Sequence, residues 1–218
     1  MEPQFWHERW QRNEIGFHQP APHAALARHS RALGLPSGGR VFVPLAGKSR
    51  DMLWLAEHGH AVIGIELSEI AVQDFFRELG QQPRVAPRGA LTSYSHGQIE
   101  LLCGDIFELR PETLGPVDAV FDRAALIALP PAMRPRYAAQ ICRLTHPRAK
   151  ILLVTLEYDQ AQMAGPPHSV PADEVARLFG ATHALEVLQR DEQLADFPKF
   201  AQRGLSALAE VSYVLRPK

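Results

Sequence analysis

The stretch from Arg40 to Glu66 constrains the fold more than any other part of the chain. An apolar run, Arg40-Val-Phe-Val-Pro-Leu45, leads into a bend containing Gly47; an amphipathic segment follows from Ser49 to His58, and a second apolar run ends in an acid, Ala61-Val-Ile-Gly-Ile-Glu66. Two apolar runs of strand length flanking a helical period describe one βαβ unit. Its strands belong in a parallel sheet, and ligands of such sheets bind beyond the carboxyl ends of the strands. Gly47 and Glu66 both fall on that side.

Glu66 follows Gly47 by nineteen positions and closes the second strand. A carboxylate there can accept both hydroxyl protons of a ribose. The bend holds one glycine where a dinucleotide fingerprint has three, so a diphosphate lacks the close backbone approach that Gly-x-Gly-x-x-Gly provides. A nucleoside without phosphates fits better, S-adenosylmethionine being the common one. An NAD-dependent oxidoreductase and a non-catalytic nucleoside-binding protein are the alternatives on the same unit.

A length of 218 residues with 46% hydrophobic side chains suits one α/β domain over 1–218, with a helical cover at 1–39 and a core at 40–218. The formal net charge of -1 offers no long-range attraction to nucleic acid or anionic lipid. No apolar stretch approaches bilayer length, and charge interrupts the first ten residues, which are therefore not expected to be a signal peptide. A cytoplasmic monomer acting on a small molecule is expected. Cys103 and Cys142 lack Cys-x-x-Cys spacing, suit a reducing compartment and read as small buried apolar residues.

Ahead of the first strand, Trp6 and Trp10 stand at i and i+4 of a short helix, Pro3 to Gln11, and share a face. They either staple the N-terminus to the core or form a lid over a ligand; in the second case Trp6, Phe17 and His18 belong to the substrate pocket. Beyond Glu66, Ser68 is a plausible N-cap for a helix to Gly80. Ala90 to Ser95 and Ile99 to Cys103 read as two short strands, and Asp105-Ile106 then falls in another carboxyl-end loop. There Asp105 could accept from an adenine amino group and Ile106 could pack on the ring, or the two could be turn and core. Val117 to Phe121 is a buried strand that delivers Arg123, whose guanidinium can hold an anion or a thiolate, or pair with Asp122 or Asp105. A helix from Pro131 to Leu144, a strand from Lys150 to Tyr158, a stiff surface loop from Gly165 to Pro171, a helix from Pro171 to Phe179 and strands over 183–189 and 205–215 complete the reading, with an antiparallel pair at one edge. None of the ten histidines forms His-Glu-x-x-His or a tight cluster, so no metal is expected. Gly47-Lys48-Ser49 lacks the upstream glycine of a phosphate loop, since Phe42 stands there, and no Gly-x-Ser-x-Gly elbow occurs.

Taken together, Phe42-Val-Pro-Leu-Ala-Gly-Lys48, Gly59-His-Ala-Val-Ile-Gly-Ile-Glu-Leu-Ser68, Phe121-Asp-Arg-Ala-Ala-Leu126, Gly165-Pro-Pro and Phe17-His18 resemble the thiopurine S-methyltransferase family, in its bacterial form. The resemblance implies a class I methyltransferase fold, a doubly wound, mainly parallel seven-stranded Rossmann-like sheet under an N-terminal helical cover. It implies S-adenosylmethionine as cofactor, S-adenosylhomocysteine as product, and an acceptor sulfur on thiopurines or other aromatic or heterocyclic thiols. Selenium or tellurium compounds are a further acceptor class it brings in. Carried over to this chain, it places Trp10, Leu45, Glu66, Ile106 and Arg123 on the cofactor, with Arg123 near the methionine end or the acceptor and no dedicated base. The segments Pro167-His168-Ser169 and Phe197 to Arg203 depart from the animal members.

Overall fold

The computed structural model describes residues 3–145 and 147–218. The chain opens with α1 (Pro3–Gln11) and α2 (Ala24–His29), followed by a single 3₁₀ turn, before β1 (Arg40–Val43), α3 (Asp51–Glu57) and β2 (Ala61–Glu66) form the expected βαβ unit. After α4 (Glu69–Glu78) come β3 (Arg84–Arg88), β4 (Leu91–His96) and β5 (Ile99–Cys103), then α5 (Pro111–Leu114), β6 (Ala119–Arg123), α6 (Arg134–Leu144) and β7 (Lys150–Glu157). The chain finishes with α7 (Ala172–Phe179), β8 (His183–Glu192), α8 (Pro198–Gln202) and β9 (Ala209–Pro217).

Among the described residues these strands form one sheet in the order β3-β4-β5-β2-β1-β6-β7-β9-β8. The sheet therefore has nine strands where seven are expected. The seven from β5 to β8 make the doubly wound arrangement, and β3 with β4 extends it as an antiparallel flap beside β5. Parallel pairing is confined to the five central strands, β5-β2-β1-β6-β7, and the remaining four ladders are antiparallel, so "mainly parallel" describes the centre of the sheet and not its edges. β3 escapes sequence reading because it contains Pro87 and alternates weakly; a proline is tolerated there because the strand lies on the edge, where no further partner needs its missing N–H.

The central strands are apolar on both faces because helices and loops cover each side, the pattern required of buried parallel strands. One core gathers Phe42, Ile63, Val120 and Leu153 with Tyr137 and Ile141 of α6; the other gathers Val41, Val43, Val62 and Phe121 with Met52, Leu55 and Phe75 of α3 and α4. Gly64 sits where packing is closest, since a Cβ there would lie 2.6 Å from Leu101 and 3.0 Å from the sulfur of Met52.

Four local expectations are corrected. Ser68 occupies the N-cap position of α4, but its buried hydroxyl has no partner and it is the Ser68 amide that is used, donating to Glu66. The last strand begins at Ala209 rather than Leu205, because Ser206 is held by its amide and hydroxyl to the side chain of Gln162 and not by a ladder. The segment from Gly165 to Pro171 is not a surface loop: His168, Ser169 and Val170 are buried. The fully buried Arg134 explains this, donating to the carbonyls of Leu129 and Ser169 and to the carboxylate of Glu174, while the His168 amide donates to Ile127. Finally, Cys103 and Cys142 are only half-buried, and both are free thiols.

Candidate active site

An open cleft of about 1080 Å³ lies across the carboxyl ends of the central strands and is roofed by the N-terminal cover. Its volume is at the upper end of the roughly 300–1,000 Å³ usual for small-molecule sites, enough for a nucleoside and a second reactant. Every residue singled out from the sequence lines it: Trp6, Trp10, Phe17 and His18 from the cover, Leu45 and Gly47 from the first bend, Glu66, Asp105, Ile106 and Arg123.

The bend after β1 is built around its acid. Leu45 (φ 44°) and Gly47 (φ 52°) both adopt left-handed backbone, which costs a non-glycine residue such as Leu45 roughly 1–3 kcal/mol. That turn brings the Gly47 amide to 2.9 Å from Glu66 Oε2, while the Ser68 amide donates to Oε1 at 2.8 Å. Both carboxylate oxygens are thus oriented by main chain at the wall of the cleft. Burial pushes the Glu66 carboxyl above its usual range, opposed by the amides of Ser68, Gly47 and Leu67. The bend is a poor phosphate cradle. Its Ala46 and Ser49 amides donate to the carbonyls of Ile65 and Ala46, and the Gly47 amide to Glu66, so these three N–H groups are already engaged.

The other loops follow from the strands that deliver them. After β5, Asp105 Oδ1 accepts from the Phe107 amide at 2.9 Å, a turn bond, and the neighbouring Ile106 is buried; both line the cleft. Asp105 is thus a turn residue and a wall residue at once. At the end of β6, adjacent side chains point to opposite faces. Asp122 turns inward, accepting from the Tyr137 hydroxyl at 2.7 Å and the Leu126 amide at 3.2 Å, and burial raises its carboxyl to about 6. Arg123 turns into the cleft. Among the described residues no ion pair joins Arg123 to Asp122 or Asp105, so the paired alternative for it is not what the fold adopts. The next residue, Ala124, again takes left-handed backbone at φ 65°.

The roof is an aromatic cluster. Phe17 meets Trp6 at 5.7 Å and Trp10 at 5.6 Å between ring centroids, both edge to face, and Phe5 meets Trp6 at 5.2 Å. Trp10 is buried and reaches Gly47, where a Cβ would stand 3.3 Å from its ring. The cover is tied down at His23. Its amide donates to Asp51 at 2.6 Å, its Nδ1 accepts from the Ala25 amide, and its Nε2 lies 3.1 Å from Glu210.

Sequence reading named Gly165-Pro-Pro and the segment Phe197 to Arg203 without giving them a place in the site, and did not name Phe107 with Arg136 as a pair. Phe107 with the Arg136 guanidinium 3.9 Å above its ring, Pro166, Pro167, Phe197 and Phe200 also line the cleft. The Cys103 thiol is not a candidate nucleophile, since burial and the charges of Glu69 and Glu66 push it up to about 11. Among the described residues no three His, Cys, Asp or Glu side chains converge as metal ligands, and no helix is long and apolar enough to cross a membrane.

Known proteins agree with this architecture. Proteins named thiopurine S-methyltransferase are 51% identical in Pseudomonas fluorescens, over 215 residues and 99% of each chain, and 47% identical in Methylococcus capsulatus, over 99% of this chain and 98% of the relative. The fold matches a Burkholderia thailandensis 1,6-didemethyltoxoflavin-N1-methyltransferase crystallised with bound 1,6-didemethyltoxoflavin and S-adenosylhomocysteine (TM-score 0.64, 18% identity, covering 98% of this chain and 87% of that one). It also matches an S-adenosylmethionine-dependent methyltransferase of Anabaena variabilis (TM-score 0.66, 13% identity, 99% and 95% covered). The family described as Thiopurine S-methyltransferase (TPMT) matches residues 1–218, and the chain belongs to that family.

Proposed function

We propose that the cleft holds S-adenosylmethionine with its ribose on Glu66 and its adenine between Asp105 and Ile106, and directs the methyl group to the sulfur of a thiopurine or another aromatic or heterocyclic thiol. The observation that carries this reading is the bend around Glu66: a carboxylate at the cleft wall whose two oxygens are each fixed by a main-chain amide, beside amides of the bend that are already engaged. The same feature disfavours NAD. A protein that merely binds the nucleoside is disfavoured by family membership.

When bound, S-adenosylmethionine supplies a methyl group made electrophilic by its sulfonium. The chain's own contribution is alignment and dryness. Trp6, Trp10 and Phe17 exclude water above the reacting atoms, Leu45 and Gly47 shape the floor, and Arg123 holds the acceptor as its thiolate. A cation and an anion that become neutral products lose charge on the way, so a weakly polar enclosure favours the transition state relative to water. Selenium and tellurium compounds fall within the same nucleophile class and are proposed as further acceptors. The chain is proposed to act as a cytoplasmic monomer, folded as one domain over 1–218, with no nucleic-acid partner.

The test is release of S-adenosylhomocysteine across a panel of thiopurines, aryl thiols and reduced selenium or tellurium compounds. Product with aromatic thiols is expected; binding of the nucleoside without product from any acceptor would overturn the assignment.

A further inference from the structure

Two imidazoles line the cleft among the described residues, His18 and His23. They differ in what their nitrogens can do. His23 is spent: Nδ1 accepts from the Ala25 amide at 3.3 Å, and Nε2 lies 3.1 Å from Glu210 Oε2. His18 is anchored only through its backbone, whose amide donates to Ile15 at 2.8 Å, and among the described residues its ring has no hydrogen-bond partner. The wall carboxylates are engaged as well. Glu14 pairs with Arg9, Asp51 with the His23 amide, Glu66 with two amides, Asp105 with Phe107 and Glu210 with His23, while Asp196 stands at the exposed rim.

We propose that His18 is a catalytic residue of this reaction: its free imidazole removes the proton of a neutral thiol acceptor, leaving the thiolate beside Arg123. The inference rests on the thiol-methylation reading above. The S–H bond breaks, its proton joins the lone pair of an imidazole nitrogen, and the electron pair left on sulfur forms the bond to the methyl carbon as the carbon–sulfonium bond breaks toward the departing sulfur. The imidazolium then gives its proton to solvent at the mouth of the cleft.

The surroundings suit an acceptor that must be neutral before the step and must not keep its proton afterwards. Four charged groups face His18: Lys48 and Arg50 from the loop into α3, Glu78 from α4, and Arg123 from β6. Burial and the three cations hold its pKa below the ordinary imidazole value of 6.5, with Glu78 opposing them. Glu78 is itself largely committed, accepting from Lys48 at 2.5 Å and lying 3.6 Å from Arg50. The ring is therefore uncharged at neutral pH, and once protonated it is repelled by its neighbours. Lys48 and Arg50 are paired with Glu78, which leaves Arg123 to stabilise the thiolate.

The experiment uses the full chain saturated with S-adenosylhomocysteine, and a thiopurine whose neutral and ionised forms differ in ultraviolet absorption, titrated in unmodified protein and in His18→Gln and His18→Asn. The titration records which thiols are bound neutral and which already ionised, and the bound ligand is expected to keep nearly the same pKa in both variants, since the ring removed is uncharged there. Turnover is read in parallel over thiols of graded acidity. The loss of kcat/KM on substitution should reach about 10²-fold for thiols bound neutral, within the usual range for a general base, and shrink for thiols already ionised. A loss of equal size for every thiol, or no loss for those bound neutral, would overturn the role of His18 while leaving thiol methylation intact. Absence of product from the unmodified protein with every thiol would remove both readings together.

Discussion

Replacing Glu66 by glutamine tests the site most sharply, because the change keeps size and shape while altering two hydrogen bonds and one charge. In the native chain Oε2 accepts from Gly47 at 2.9 Å and Oε1 from Ser68 at 2.8 Å. A carboxamide offers one accepting oxygen, so its NH₂ must face one of these two amides, donor against donor. One buried N–H loses its partner, which costs about 1–3 kcal/mol of stability. For the ligand, one of two charge-assisted bonds to the ribose hydroxyls is lost, a bond worth about 1.5–3 kcal/mol. At about 1.4 kcal/mol per decade this weakens S-adenosylhomocysteine binding by roughly 10- to 150-fold. Isothermal titration calorimetry on folded variant, with thermal unfolding to record the stability change, measures both. Affinity within twofold of the native protein would refute the placement of the ribose on Glu66, whatever happened to stability.

Three further outcomes are expected. Arg123→Ala should lower turnover of aromatic thiols by about 10²-fold, the usual loss when one preorganised charge-stabilising group is removed; steady-state kinetics with undiminished kcat would sink its role on the thiolate. Gly47→Ala places a methyl group at φ 52° and 3.3 Å from the Trp10 ring, and is expected to cost about 1–2 kcal/mol. The intrinsic tryptophan emission should shift with it, and a variant with native stability and spectrum would contradict the described bend. Asp122 carries a pH dependence whose sign is fixed by its shift: the folded carboxyl titrates at about 6 against an ordinary 3.8, so the folded state binds the proton more tightly. Its contribution is complete below the unfolded pKa and is lost as pH rises to about 6, by roughly 3 kcal/mol in all. In urea unfolding between those pH values, Asp122→Asn should flatten this decline, and an identical slope in both proteins would show that another group is responsible.

How far these features could be read from sequence depended on whether local chemistry decided them. The βαβ unit was legible because two apolar runs, a helical period and a terminal acid each point the same way, and Leu45, Gly47 and Glu66 come with it. Asp105, Ile106 and Arg123 were legible for a related reason: each follows a buried strand, and the carboxyl end of such a strand opens on the site. What sequence could not supply was decided by partners far along the chain. β3 is a strand only because β4 lies beside it, despite Pro87. The segment after Gly165 is drawn inside by Arg134, whose partner Ser169 lies 35 residues away. The direction of Arg123, into the cleft and away from Asp122, depends on Tyr137 occupying the carboxylate. Phe107 and Arg136 meet across two different elements, and neither residue alone suggests the pair.

The way the cover is fastened bears on how the reactants are enclosed. Its aromatic rings pack on one another, Phe17 on both indoles and Phe5 on Trp6, while the polar anchors of the cover lie further along, at His23, at His29 against Gln189 and at Ala32, whose carbonyl accepts from Arg216. The cluster meets the ligand-binding bend where the Trp10 ring reaches Gly47, and α1 also rests on α4. The roof of the cleft is thus one connected body of rings, and removing any single ring loosens its neighbours along with the enclosure they provide.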